Sequence, residues 1–426
     1  MTLELEPVLL VTGSLLLLVG WLATYRPDAR QIGVVAGLIV TVGGATAWLL
    51  GATSPVLLLD DVSLPRMPLI GIGLVGIFAV MPRRHARVGT MAVLIALALV
   101  DLALSAVPSR ELSGPLWVLS TLLTWLALPS GPPRQIAWPY LALAAGTGLA
   151  GTFLGGSAGA GLLVFAVVIR LGIFPFHSWI ISAYTLAPTT IAVALAAPMS
   201  CIALVARHPM SFDVSVAQAL TAYLATAALI GGGLAVVQRY LARSVAFFTV
   251  GVQALVLLGV LDADHIGHLG GLIMWTLTGL ALTGVGLVAA ALRSRTGGIR
   301  IDSYAGLIGS APTFGTLFLL FGLAAVGAPG TADFASEDLV LHGGLAHHAG
   351  LLLLYIAAVS VHGYVVLHLF YKVFFGPPRK ISLRDALPRE WMVLVAMGAL
   401  LVLAGLAPQL LLDGWLPMIE PLAVGP

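Results

Sequence analysis

Apolar runs recur along this chain, one after another, parted by short polar or basic joints. Each is about 17–25 residues long, the length a helix needs to cross a hydrocarbon layer of ~30 Å. In lipid every backbone N–H and C=O must be paired internally, so such runs fold as helices. Fourteen fall near residues 8–24, 32–52, 67–81, 88–106, 115–129, 137–155, 160–176, 188–206, 216–236, 244–261, 268–292, 304–326, 350–371 and 391–412. The expected fold is an all-α polytopic membrane protein with about 14 transmembrane helices. Composition agrees, since 59% of the 426 residues are hydrophobic, only 9% are charged, and the mean hydropathy is +1.05. Glu4 and Glu6 precede the first run with no basic residue, unlike a cleavable signal peptide, so Val8–Thr24 reads as a genuine span.

Loop charge supplies an independent test, because lysine and arginine accumulate on the cytoplasmic side. Sixteen basic residues follow odd-numbered spans, among them Arg30, Arg83, Arg84, Arg87, Arg134, Arg239, Arg293, Arg295 and Arg389; only Arg66, Arg110 and Arg207 follow even ones. Both termini are therefore expected on the outer face. A formal net charge of +2, with its basic residues scattered among short loops, offers no nucleic-acid surface. The single cysteine, Cys201, excludes an internal disulfide.

Two spans carry their own interruptions. In RLGIFPFHSWIISAYTLAP, Arg170 to Pro188, Gly172 and Pro175 should break the seventh span, because proline cannot donate the helical hydrogen bond. In FGLAAVGAPGTADFASEDLVL, residues 321–341, Gly327, Pro329 and Gly330 should unwind the twelfth just ahead of Asp333, Glu337 and Asp338. The two breaks stand five spans apart. Spans 4–8 and 9–13 then form two five-helix repeats of opposite orientation, the layout of transporters whose broken helices line an ion or substrate path. The chain divides accordingly into residues 1–87, 88–207, 208–372 and 373–426.

These motifs carry a family resemblance. The Arg170–Pro188 segment resembles the PFHxWLPDAHxxAPT signature of the antiporter-like subunits of respiratory NADH-quinone oxidoreductase (complex I) and of Mrp-type cation/proton antiporters. LLLDDVSLP (57–65), RSVAFFTVGV (243–252), GAPGTADFASED (327–338) and YKVFFGPPRK (371–380) resemble further family segments in the same order. PREWMVLVAMGALLVLAGLAPQLLLD (388–413) is similar to the tail of the M-type subunit, which lacks the lateral helix of the L-type.

The resemblance also exposes departures. The family's seventh-span lysine is matched by Arg170, which keeps the charge but does not readily release a proton. The fifth-span glutamate falls on Ser120 or Thr121, the eighth-span lysine near Cys201 and the eleventh-span histidine on Trp275; only the twelfth-span acid survives, as Glu337 with Asp338 beside it. The only lysines, Lys372 and Lys380, lie in or next to the loop after the thirteenth span, which excludes a lysine relay in the membrane.

Other titratable groups inside the spans extend the candidate proton path. Asp101, among apolar neighbours in the fourth span, either pairs with Arg170 or reaches the outer headgroups. His177 follows the first break, and either relays protons near neutrality or caps unwound backbone. His362 and His368, nearly two turns apart on the thirteenth span, are read as lying roughly on one face, either linking the centre to the cytoplasmic side or joining helices. His265 and His268 behind Asp262 and Asp264, and His342, His347 and His348, lie in outer loops where metal binding would be adventitious. No nucleotide, CxxC or HExxH motif is present, so neither metal nor redox cofactor is expected.

Three functions follow. The chain is a proton-translocating M-type subunit of a complex I-like or related energy-converting assembly with a degenerate relay, itself non-redox; or a non-conducting scaffold in such an assembly; or the membrane subunit of a two-component inorganic-carbon uptake system. Expected partners are other membrane subunits, the bilayer and protons or another small cation, in the inner (plasma) membrane.

Overall fold

The computed structural model describes residues 29–49, 66–107, 109–206, 212–343, 349–377 and 383–407. Helices are α1 (Ala29–Leu49), α2 (Arg66–Val80), α3 (Val88–Ala106), α4 (Arg110–Ala127), α5 (Pro132–Leu154), α6 (Gly156–Arg170), α7 (Ser178–Leu186), α8 (Thr189–Ala196) and α9 (Ala203–Ala206). They continue with α10 (Val214–Val236), α11 (Leu241–Val260), α12 (His265–Thr296), α13 (Pro312–Ala324), α14 (Ala332–His342), α15 (Ala349–Phe374) and α16 (Pro388–Leu406). Every apolar run from the second to the fourteenth holds helix; the first lies outside the described residues.

The arrangement follows from which helices are apolar all round. A helix with no polar face belongs in a core or in lipid. α12 takes the core: residues from Leu269 to Leu292 are buried almost without exception, and α11 and α8 pack beside it. The surrounding helices leave large side chains outside, including Leu38, Trp138, Phe153, Leu353, Leu367, Trp391 and Leu403. A soluble monomer does not expose apolar surface on that scale. With eight helical segments among the described residues long and apolar enough to cross a bilayer, this is a multi-pass membrane protein.

Basic joints gather on one face. Arg295 donates to the Arg384 carbonyl at 3.0 Å and pairs with Glu390 at 2.5 Å, while Arg389 donates to the Ala79 carbonyl at 2.9 Å and lies in the field of Arg30 and Arg83. The Arg239 and Ile299 carbonyls accept backbone bonds from Ile301 and Leu241. Joints after the first, third, ninth, eleventh and thirteenth runs thus meet side by side.

Three boundaries differ from expectation. The twelfth run was expected from residue 304, but its helix begins at Pro312, whose fixed φ suits a first helical position. Ala305, Leu307 and Ile308 instead donate to the carbonyls of Lys372, Val373 and Phe374, which end α15 without helical partners of their own. The helix of the eleventh run, α12, reaches back to His265, because Asp264 accepts from the Ile266 and Gly267 amides at 2.9 and 3.4 Å. In DADHIGH, therefore, Asp264 caps a helix and His268 bonds the Val260 carbonyl at 2.7 Å. Asp264→Ala is expected to lower stability by about 1 kcal/mol, read as a fall in the melting temperature of the detergent-purified protein. The eighth run, expected to be continuous, is broken at Ala197–Met199.

Candidate functional site: buried polar groups at three helix breaks

The first break spans residues 171–177 and the second 325–331, seven residues each, between α6 and α7 and between α13 and α14. Gly172, Gly327 and Gly330 there adopt left-handed φ of 62°, 60° and 89°. At Gly327 a side chain is excluded twice over, since a Cβ would also sit 2.3 Å from the Glu337 carboxyl carbon. The third break follows from Pro198, which cannot continue α8. At this break the Ala196 and Met199 carbonyls, which take backbone bonds from Met199 and Ile202, also accept from Gln253 Nε2 at 2.6 Å and Trp275 Nε1 at 2.8 Å.

Arg170 ends α6 and is buried. Its guanidinium donates to the Thr124 hydroxyl and lies 5.8 Å from the Trp179 ring centroid, while its Nε has no hydrogen-bond partner. Of the two alternatives for Asp101, pairing with Arg170 or reaching the headgroups, neither forms directly: Asp101 is buried and meets Arg170 through hydroxyls. Asp101 Oδ1 accepts from Ser120 Oγ at 2.6 Å, and Thr124 Oγ1 donates to the Ser120 carbonyl at 3.0 Å. One turn of α4 thus carries a hydroxyl bridge between the two charges. Of the two residues matched to the family glutamate, Ser120 faces Asp101, whereas Thr121 bonds back to the Trp117 carbonyl. Ser200 and Cys201, at the third break, lie in the same charged pocket.

On its other side Asp101 borders a cavity of about 50 Å³ shared with Arg66, Ser200 and Trp275, room for a water or two. The Arg66 guanidinium stacks on Trp275 at 3.3 Å from its centroid. The side chain at the family's histidine position therefore binds a cation by its π face and a carbonyl by its N–H, neither of which relays a proton.

At the second break a further acid lies buried. Asp333 is fully buried, and neither carboxyl oxygen has a hydrogen-bond partner, although Glu337, Thr278 and Ser336 lie close by. Glu337 sits one turn along the same face, part-buried against Gly327, with the buried Tyr355 near both acids. Asp338 was expected to join this path but points outward and pairs with the exposed His342 at 3.2 Å. Asp333 and Glu337 are four residues apart on a helix and share a face; Asp338 is turned about 100° from Glu337.

The histidines part company as well. His177 stacks on Phe174 at 5.3 Å and meets Phe247 at 5.6 Å, in the field of Arg243 rather than in contact with either acid. His362 is buried against Phe248 and Gly251, with Nδ1 2.7 Å from the Ala358 carbonyl and Nε2 unpartnered. His368 is part-exposed beside Tyr364. The two were expected on one face, but a six-residue spacing separates them by about 120° around the helix. Residues 347 and 348 lie outside the described residues.

Between the breaks, side chains that were not singled out from the sequence carry further unused hydrogen-bonding atoms. Tyr184 Oη, Thr249 Oγ1, Gln253 Oε1 and Thr278 Oγ1 are all buried and unpartnered. Thr249 and Gln253 share a face of α11, and the Tyr184 hydroxyl lies close to Thr249. For Thr249 and Gln253 the signal was available: two polar residues at four-residue spacing in an apolar helix.

An all-helical, multi-pass membrane protein with interrupted helices and buried charges beside the interruptions has the architecture of antiporter-like membrane subunits and transporters. The chain matches the NADH:quinone oxidoreductase/Mrp antiporter transmembrane family over residues 139–363, more than half its length, and belongs to that family. NADH-quinone oxidoreductase subunit M of Mycobacterium tuberculosis is 27% identical over 265 residues, 60% of this chain and 48% of that one. Subunit M of Rhodobacter capsulatus is 27% identical over 256 residues, 58% of this chain and 50% of that one. The chain spans about half the length of the curated relatives it matches. By structure, a chain of respiratory complex I from Thermus thermophilus aligns with a TM-score of 0.81 at 22% identity, covering 97% of this chain and 98% of that one. A chain of the Mrp complex from Dietzia sp. DQ12-45-1b aligns at 0.79 with 16% identity, covering 97% and 96%. Both likenesses concern the fold.

Proposed function

We propose that this chain is a proton-translocating, M-type antiporter-like subunit of a complex I-like or related energy-converting membrane assembly, with any redox chemistry carried by partner subunits. It crosses the inner (plasma) membrane fourteen times, with the basic face cytoplasmic and both termini outside. Spans 4–8 and 9–13 form inverted repeats; the equal length of the two breaks and the gathering of basic joints on one face support that layout. The observation that carries the reading is the set of buried polar atoms at and between the breaks. It comprises Asp101, Ser120, Thr124 and Arg170 in one cluster, Asp333 and Glu337 at the second break, and Tyr184, Thr249, Gln253, Thr278 and His362 on the helices packed around them. Unpaired polar atoms buried in a membrane bundle cost free energy and are retained where water or an ion uses them.

In this relay Arg170 is a fixed charge, and the proton-exchanging groups are Asp101, Asp333 and Glu337. Glu337→Gln in reconstituted vesicles is expected to cut proton movement at least tenfold while assembly is kept; unchanged pumping would remove the reading. A non-conducting scaffold is the second reading, favoured by one observation: Trp275 and Arg66, stacked at the family's histidine position, have no exchangeable proton to pass on.

A further inference from the structure

The basic face holds a cavity of about 310 Å³ whose lining includes none of the proton-exchanging groups. Its lining includes Arg84, His85, Thr189, Thr190, Arg293 and Ser294, and no carboxylate among the described residues. Arg293 is fixed at its floor, donating to the carbonyls of Tyr184 at 2.6 Å and Thr185 at 2.7 Å and to the Thr189 hydroxyl at 2.9 Å. Those acceptors are neutral, so the guanidinium charge is held in place without being cancelled.

Three features point to a ligand. α8 starts at Thr189 behind Pro188, so the first amides of an eight-residue helix and the positive end of its dipole face this joint. The Thr190 hydroxyl, 2% exposed, lines the cavity and makes no hydrogen bond, and His85 Nδ1 is likewise buried and unpartnered. Burial, and then repulsion from Arg84, Arg293 and Arg87, push His85 below its ordinary pKa.

We propose that this cavity is a binding site for a phosphate group, held by Arg84, the α8 N-terminus and the Thr190 hydroxyl over the fixed charge of Arg293. Guanidinium donors, a helix N-terminus and hydroxyls are the set that phosphate oxygens select. A space of about 310 Å³ lies at the lower end of ligand-pocket volumes and exceeds what a bare halide needs. Its place on the basic face, where joints meet headgroups, makes an anionic phospholipid one source and free phosphate the other. The proposal is independent of conduction and survives if Glu337→Gln leaves pumping intact.

The test uses the full-length protein in neutral detergent. Native mass spectrometry compares retention of phosphatidylglycerol with phosphatidylcholine, and thermal melts are titrated with inorganic phosphate against chloride. The expected results are selective retention of one phosphatidylglycerol or stabilisation by phosphate, with Arg84→Gln and Thr190→Val each weakening binding about tenfold or more. Both variants should melt like the wild type without ligand. Lipid that phosphate does not displace identifies a headgroup site; phosphate binding without lipid preference identifies a free-anion site; both uphold the proposal. Equal retention of both lipids with no phosphate effect, or variants that bind as the wild type does, overturns it.

Discussion

Replacing Arg170 by Leu, or Asp101 by Leu, is expected to destabilise the protein by about 3 kcal/mol each, while replacing both costs clearly less than the sum. The physical reason is the Ser120–Thr124 bridge. Asp101 and Arg170 have no direct contact, yet both are buried and each is held by a hydroxyl on the same turn of α4. Removing one charge leaves the other buried without compensation; removing both leaves two hydroxyls that bond back to carbonyls. Unfolding of the four proteins in mixed micelles measures the coupling. Strictly additive losses would show that the two charges do not sense each other. Ser120→Ala should weaken the coupling without removing it, since through-space attraction remains.

The second large effect concerns Gly271. On this residue of α12 a Cβ would sit 2.1 Å from the backbone carbon of Gly259 on α11, and backbone cannot yield as a flexible side chain can. In lipid no hydrophobic drive pushes helices together, so close approach through small residues is itself the stabilising contact. Gly271→Ala is expected to cost about 3 kcal/mol or more, by overpacking in the most buried pair of helices. Gly233→Ala is the control: nothing lies within 4 Å of its Cβ position, and alanine favours a helix over glycine by about 1 kcal/mol. Melting temperatures falling in the first variant and holding or rising in the second meet the expectation; equal behaviour refutes it.

The helix breaks were legible because their causes are local. Pro175 and Pro329 lack the donor a helix needs, and Gly172 and Gly327 take left-handed turns that other residues resist. Pro198 carries the same signal inside the eighth run and produces the third break. Asp333 was legible in principle, since it shares a helical face with Glu337, but the phase could be counted only once the helix was known to start at Ala332. His362 and His368 show the same fault in reverse, a six-residue spacing read as a repeat of the helix.

By itself the sequence determined where helix forms, where it is interrupted and which joints are basic, because hydrogen-bond satisfaction in lipid, proline geometry and charge bias are properties of short stretches. Only the tertiary structure decided that Ser120 and Thr124 join Asp101 to Arg170, that Asp333 rather than Asp338 faces the interior, and that Arg66 stacks on Trp275. To a helix, lipid and a neighbouring apolar helix are nearly the same solvent. Hydropathy therefore records that a segment is buried and leaves unsaid which face meets which neighbour, a choice made by small residues and by the few polar groups that must find partners.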